Sequence, residues 1–308
     1  MTPVGPPLTA ALSRRAALMA GASLLGLGVA ACSGASSSGG EDGDVITIGC
    51  MPTWTDSATM AFVLRRQLEQ LGHTVEFETF TDAAIAFTAL SEGAIDLYSS
   101  AWPDVTHAAH VEEYGDSLED LVTYNRSATT MLAVPEHTDI SSIEDLAADP
   151  ARFDGRIIAI EPGAGLTTMV QDRVMPQYGM QESFELVTSS TPAMLTELQN
   201  AIDEQADAVF TLWRPFWAHH RFAVKPLEDP AGAFRTPESL HVMGRPGFTR
   251  DFAEAAGYIG QMALSDEDFT AVHSVVLDAF DDGEEAEAQA VASWIEANPE
   301  VLPAAGTA

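Results

Sequence analysis

Short β-type runs alternate with helical ones along almost the whole chain, and that alternation confines the fold to an α/β class built on parallel strands. Residues 45–50 read as a strand, and 56–71 as a helix with Asp56 or Ser57 at its cap and Gly72 as its stop. Residues 74–80 alternate like a strand, 83–92 are helical, and 95–100 form a third strand that ends just before Trp102. This is a βαβαβ unit. A further β-type run at 129–134, closed by Pro135, crosses into a second unit. There, strand 156–160 leads through a glycine-rich turn at 162–165 into a helix ending near Tyr178, then strand 184–188, helix 192–204, strand 208–212 and a strand near 222–227. Residues 239–243 read as a return strand before Gly244, and 249–264, 266–280 and 284–298 as a helical tail. The expected organisation is two lobes, residues 45–130 plus 239–308 and residues 131–238. Such a pair suits a hinged binding protein and does not exclude a two-domain enzyme.

The N-terminal segment is read as an address. Arg14 and Arg15 precede an apolar run at 16–31, short for a membrane span, which ends Val29-Ala30-Ala31-Cys32. Residues 1–31 are expected to be a lipoprotein signal peptide, with Cys32 the lipidated first residue of the mature chain. The Arg14-Arg15 pair also permits twin-arginine export. Residues 32–44, rich in Ser, Gly and acid, form a flexible tether. Only Cys50 then remains besides the anchor, so no internal disulfide is expected, and Cys50 reads as a buried small hydrophobe.

The net charge is −32, from 46 acidic against 14 basic residues, of which Lys225 alone is lysine. A surface of that sign argues against nucleic acid or anionic lipid as a partner, and reads first as a solubility or salt adaptation.

Chemistry is expected in four loops that follow strands. Three of the five tryptophans, Trp54, Trp102 and Trp213, stand just past β-type runs. A quaternary ammonium donates no hydrogen bond, so π faces are its best non-aqueous surroundings, each worth roughly 0.5 to 2 kcal/mol. Trp54 leads straight into a helix start, where a plain aromatic staple is the commoner meaning. His107 follows Trp102 by five residues, close enough for imidazole and indole to bound one small pocket. Glu161-Pro162-Gly163-Ala164-Gly165-Leu166-Thr167 is a strand-to-helix turn whose free amides suit a small anion; it lacks the third glycine of a dinucleotide fingerprint and the ending of a phosphate loop. In Trp213-Arg214-Pro215-Phe216-Trp217, Trp213 is the pocket candidate, Trp217 packing or rim, and Arg214 faces solvent or a carboxylate.

Taken in order, the tryptophan-led helix, Trp-x-x-x-Thr-His, Pro-Gly-Ala-Gly-Leu, the Leu-Trp-x-Pro run and Leu227-Glu228-Asp229-Pro230 resemble the substrate-binding proteins of glycine betaine ABC importers, the OpuAC type. The resemblance runs from about Val45 to Leu302. It implies a two-lobed periplasmic-binding-protein fold of type II-like form with the ligand in the cleft between the lobes. It further implies a cage of Trp54, Trp102 and Trp213 around the trimethylammonium, with Gly165 and Leu166 amides and His107 on the carboxylate. The implied partners are an ABC permease with its ATPase; the implied protein is a monomer that carries no cofactor and no metal, is not an enzyme, and serves compatible-solute uptake from the extracytoplasmic face. Two departures stand out. Phe216 occupies a place where many relatives carry histidine, leaving its role to His219 or His220 or to nothing. Pro103-Asp104 replaces a common Leu-Pro, and Asp104 would favour a bare cation such as choline, bond a ligand hydroxyl, or face water.

Two other classes stand beside this reading. An exported enzyme finds no Gly-x-Ser-x-Gly, His-Glu-x-x-His or Cys–His motif in its support. A metal-binding lipoprotein would use His107, His110, His219 and His220, a set without metal-ligand spacing. Trp294, the acidic run 281–287 and Tyr178 read as packing or solvated helix surface.

Overall fold

The computed structural model describes residues 45–115, 117–262 and 264–304. The expected signal peptide, Cys32 and the tether lie outside the described residues. The strands are β1 Val45–Cys50, β2 Thr74–Thr79, β3 Leu97–Ala101, β4 Glu119–Pro135, β5 Arg156–Ala159, β6 Glu185–Thr188, β7 Phe210–Arg214, β8 Val224–Pro226 and β9 Glu238–Gly244. The helices are α1 Thr55–Gln70, α2 Ala83–Glu92, α3 Ala108–Tyr114, α4 Ile143–Ala148, α5 Gly165–Met169, α6 Met175–Gln177, α7 Thr191–Glu204, α8 Ala218–Arg221, α9 Phe248–Asp251, α10 Ala253–Ile259, α11 Asp266–Ala279 and α12 Glu284–Ala297. A π turn, Val170–Val174, joins α5 to α6.

All the strands belong to one sheet in the order β2-β1-β3-β9-β4-β7-β5-β6, with β8 paired to β4. β1 runs parallel to β2 and β3, and β5 parallel to β6 and β7, which needs crossover connections such as α1, α2 and α7 supply. The long strand β4 joins these two parallel sets. Its first part pairs antiparallel with β9 as far as Ala128↔Glu238, with several register irregularities, and its second part pairs with β7 from Thr129↔Arg214 onward.

Local sequence explains most of the elements. α2 starts where the Asp82 carboxylate accepts the Ala84 N–H at 2.8 Å and stops at Gly93, which takes the left-handed conformation (φ 74°) that a side chain would resist. α11 carries a full capping box between Ser265 and Asp268. α1 buries Met60, Ala61, Val63, Leu64 and Leu68 completely beneath α11, α12 and the β1–β3 sheet. Cys50 is buried as expected, and that burial pushes its thiol up to about 12.

Several expectations change. β4 begins ten residues before the run read as a strand, because its polar first part is held by β9 rather than by an apolar face. α3 and α4 were not foreseen; both are short, and α3 has no fully buried residue to mark a periodicity. The helix expected over 249–264 is two helices, α9 and α10, interrupted at Phe252. Trp213 lies inside β7, not past it. Neither Asp56 nor Ser57 caps α1: Trp54 holds the cap position without a side-chain cap bond, and both polar residues are turned inward.

Candidate functional site

All six residues singled out as ligand contacts, Trp54, Trp102, His107, Gly165, Leu166 and Trp213, line one pocket. It encloses about 340 Å³ of non-atom space, part of it open to solvent, and is completed by Asp56, Thr106, Thr130, Ile160 and Ala164. The β1–β3 side supplies Trp54, Asp56, Trp102, Thr106 and His107, and the β5–β7 side supplies Ile160, Ala164, Gly165, Leu166 and Trp213.

The residue that organises the pocket, Asp56, is one that the sequence alone offers as a helix cap. Asp56 is 1% exposed, and its carboxylate accepts three bonds: Trp213 Nε1–H on Oδ1 at 3.1 Å, and Ser100 Oγ–H at 2.6 Å with Trp102 Nε1–H at 3.4 Å on Oδ2. Two of the three tryptophans are thus orientated by one buried acid. Burial raises its pKa and the three donors oppose that rise, so a positive guest would find an acid whose ionised form is short of compensation. An acid two residues after an aromatic, at the head of a helix, was the only trace of this in the sequence.

The rings have fixed backing. Trp54 and Trp213 meet edge to face at 6.0 Å, and Phe216 stacks on Trp213 at 3.8 Å. Trp54 Nε1–H donates to Thr191 Oγ at 3.1 Å, and the Thr191 hydroxyl and amide are both held by Glu161 at 2.8 Å, which pins a ring from α1's start to the head of α7. Phe216 therefore packs against Trp213 at the position where the resemblance led to a histidine being expected. His219 lies outside the pocket and donates Nε2–H to the Trp213 carbonyl at 2.9 Å; its burial holds the ring down to about 4 and hence neutral.

His107 has a defined tautomer. Its Nδ1 accepts the Trp102 amide at 3.0 Å, which leaves the proton on Nε2. Burial first, and the neighbouring His110 second, lower its pKa to about 3, so it is a neutral donor and not a cation. Across the pocket, the first backbone bond of the α5 turn runs from Thr168 N to Ala164 O at 3.1 Å, which leaves the Gly165 and Leu166 amides among the unpaired N–H groups of a helix start. The loop carrying Thr106 and His107 is tied down by Glu238, which accepts the Val105 and Thr106 amides at 3.1 and 2.7 Å and the Thr106 hydroxyl at 2.7 Å.

The two sides approach closely. A Cβ built on Gly165 would lie 2.0 Å from the Thr106 carbonyl oxygen, so only glycine permits this contact. Asp104 does not line the pocket; it is exposed and accepts the Ser239 amide at 2.7 Å. Arg214 is exposed. Of the four histidines that a metal site would have needed, His107 and His110 sit 6.1 Å apart by ring centre, while His219 lies on the backbone of β7. Among the described residues no group of three or more metal-binding side chains is brought together.

The pocket thus brings three indole side chains and a buried carboxylate together with the neutral His107 imidazole and the amides at the start of α5. A relative from Listeria monocytogenes, the glycine betaine/carnitine transport binding protein GbuC, is 31% identical over 144 residues, which is 47% of this chain and 46% of that protein. The matched stretch thus spans under half of that relative's length. Among solved structures, the glycine betaine, L-proline transporter binding protein ProX from Borrelia burgdorferi aligns with 27% identity and a TM-score of 0.75 over 84% of this chain and 97% of its own. Lactococcal OpuAC, closed on glycine betaine, aligns with the same identity, TM-score and coverage. The fold is the two-lobed α/β architecture of periplasmic binding proteins. The OpuAC family profile, described as the substrate binding domain of ABC-type glycine betaine transport system, matches residues 44–297, and the chain belongs to that family.

Proposed function

We propose that this chain is the extracytoplasmic substrate-binding component of an ABC importer and takes a quaternary amine carrying an anionic group, glycine betaine first. The observation that carries the reading is the convergence of Trp213 and Trp102 indole N–H groups on buried Asp56 beneath the pocket. That geometry fixes two indole rings at the pocket with a carboxylate beside them, which suits a cation unable to donate hydrogen bonds. The opposite pole, His107 Nε2–H with the Gly165 and Leu166 amides, suits a carboxylate, and its neutrality at His107 lets it orient the ligand without adding net charge.

The mechanism is closure. Residues 45–130 with 239–308, and residues 131–238, act as lobes hinged where β4 changes partner and β9 begins. A ligand bonded by both lobes favours the closed form by its differential affinity, and the closed form is the one a permease receives. The chain acts as a monomer, without cofactor or catalysis, and is held at the membrane by a lipid on Cys32 after export. Incorporation of labelled fatty acid into the wild-type chain and not into Cys32→Ala would be the expected sign of that anchor; equal labelling of both would refute it.

A second reading, a bare cation such as choline, is favoured specifically by Asp56, whose charge attracts an ammonium and repels a carboxylate. Calorimetric titration with glycine betaine, proline betaine, carnitine, choline and proline decides between them. The expected result is tight binding of glycine betaine that weakens in His107→Ala, with choline indifferent to that substitution. Failure of every quaternary amine to bind would overturn the function, and tighter binding of choline would shift it to the second reading.

A further inference from the structure

A second contact crosses between the lobes outside the ligand pocket. Trp217, just before α8, meets Phe280, just after α11, with ring centres 5.3 Å apart and planes inclined by 30°. One turn on, the Arg221 guanidinium pairs with both carboxylate oxygens of Asp281 at 2.9 and 2.8 Å. Each pair joins a residue of the 131–238 lobe to one of the 239–308 segment. Surface grooves lie on either side of the contact, each lined from both lobes and each including Trp217, Arg221 and Phe280. Trp217 rests on the core of its own side, but it and Phe280 are each only half-buried, and a contact flanked by open grooves can form and break without unpacking that core. It also connects to the pocket: Trp217 lies 5.8 Å from Phe216, whose ring is stacked on Trp213 at 3.8 Å.

We infer that Trp217–Phe280, assisted by Arg221–Asp281, is a clamp that holds the lobes closed and sets how long ligand stays bound, without touching ligand itself. The inference rests on the proposed lobe closure. The aromatic pair is the main part of the device, because Arg221 and Asp281 are 55% and 73% exposed in their side chains and an ion pair of that kind contributes little. Since the clamp acts only after the lobes meet, its loss should appear in dissociation and not in association.

The test is a double-mutant cycle on Trp217→Ala and Phe280→Ala, followed by the rise in glycine betaine dissociation rate in stopped-flow tryptophan fluorescence. Phe280→Ala is the decisive single change, since Phe280 belongs to the opposite lobe from Trp213 and Phe216. Each single variant should dissociate about five- to tenfold faster with an unchanged association rate, and the double variant no faster than the worse single one. Melting of the unliganded protein monitors folding, and small-angle scattering of the same variants reads lobe separation directly. The clamp is refuted if Phe280→Ala leaves the dissociation rate unchanged, or if the two effects simply multiply. If the wild-type chain binds no quaternary amine, the proposed ligand fails while scattering still decides the clamp: unchanged compactness in Phe280→Ala would then overturn it, and a more open average shape would support it.

Discussion

Replacement of Asp56 by asparagine separates the two roles that this carboxylate plays. The amide is isosteric, and with its oxygen toward Trp213 its nitrogen faces Ser100 Oγ, so only the longest of the three bonds, the 3.4 Å contact with Trp102, is lost. The charge is removed altogether. Burial raises the Asp56 pKa, so the ionised form opposes folding, and that penalty grows as pH rises from the unfolded-state value to the folded one. The unliganded Asp56→Asn protein should therefore melt no lower than wild type at neutral pH. Binding should move the other way. A methylated ammonium packed against this floor puts its nitrogen about 5 Å from the carboxylate, worth about 3 kcal/mol at an effective dielectric of 20, or about 100-fold in Kd. For glycine betaine the ligand carboxylate, about 3 Å further off, is repelled by about 2 kcal/mol on the same terms, leaving a net loss of about tenfold. Calorimetry at pH 7.5 with choline and glycine betaine, set beside thermal melts, measures both effects. The reasoning is refuted if affinity for the two ligands is unchanged, or if the loss is larger for glycine betaine than for choline.

Other expectations follow from the same geometry. Because Nδ1 of His107 is an acceptor and its pKa lies near 3, glycine betaine affinity should pass through pH 5–8 without an inflection from this ring; a fall in affinity as pH rises through 6.5 would show that the imidazolium is the binding form. Gly165→Ala keeps the amide and adds a Cβ at 2.0 Å from Thr106 O, so it should weaken binding at least about tenfold with the unliganded melt little changed. Wild-type affinity in that variant would remove the claim of close approach. Glu287, 7% exposed, is raised from 4.5 to about 7 by burial and then by Glu284. Its folded form keeps a proton that the unfolded chain has lost, so stability should fall as pH rises from about 4.5 to about 7, by at most about 3 kcal/mol. Urea titrations of Glu287→Gln should lack that slope and exceed wild type at pH 8; parallel pH profiles would count against it.

How far the site could be read in advance depended on the range of the signal. The tryptophans, His107 and the Gly163-Ala164-Gly165 turn declare themselves because an aromatic or a glycine at the end of an apolar run is a local anomaly. Asp56 does not, since an acid at a helix start is indistinguishable locally from a cap; its partners Trp102 and Trp213 are 46 and 157 residues away. Phe216 likewise reads as a departure from the family until its ring is seen backing Trp213. The first part of β4 escapes for a related reason: its polar residues acquire strand character only from β9, more than a hundred residues later.

The sequence by itself determined the order of strands and helices, the caps at Asp82 and Ser265, the glycine stop of α2 and the chemical types available at each loop. These depend on periodicity and hydrogen bonds within one or two turns, where side chain and backbone decide alone. Tertiary structure decided which of those groups face one another: that an apparent cap became the floor of an aromatic pocket, that His107 is buried and held neutral, and that Gly165 rests against Thr106. Burial and these facing contacts are made across the sheet, and they exist only when the strands and loops on both sides of the pocket are in place.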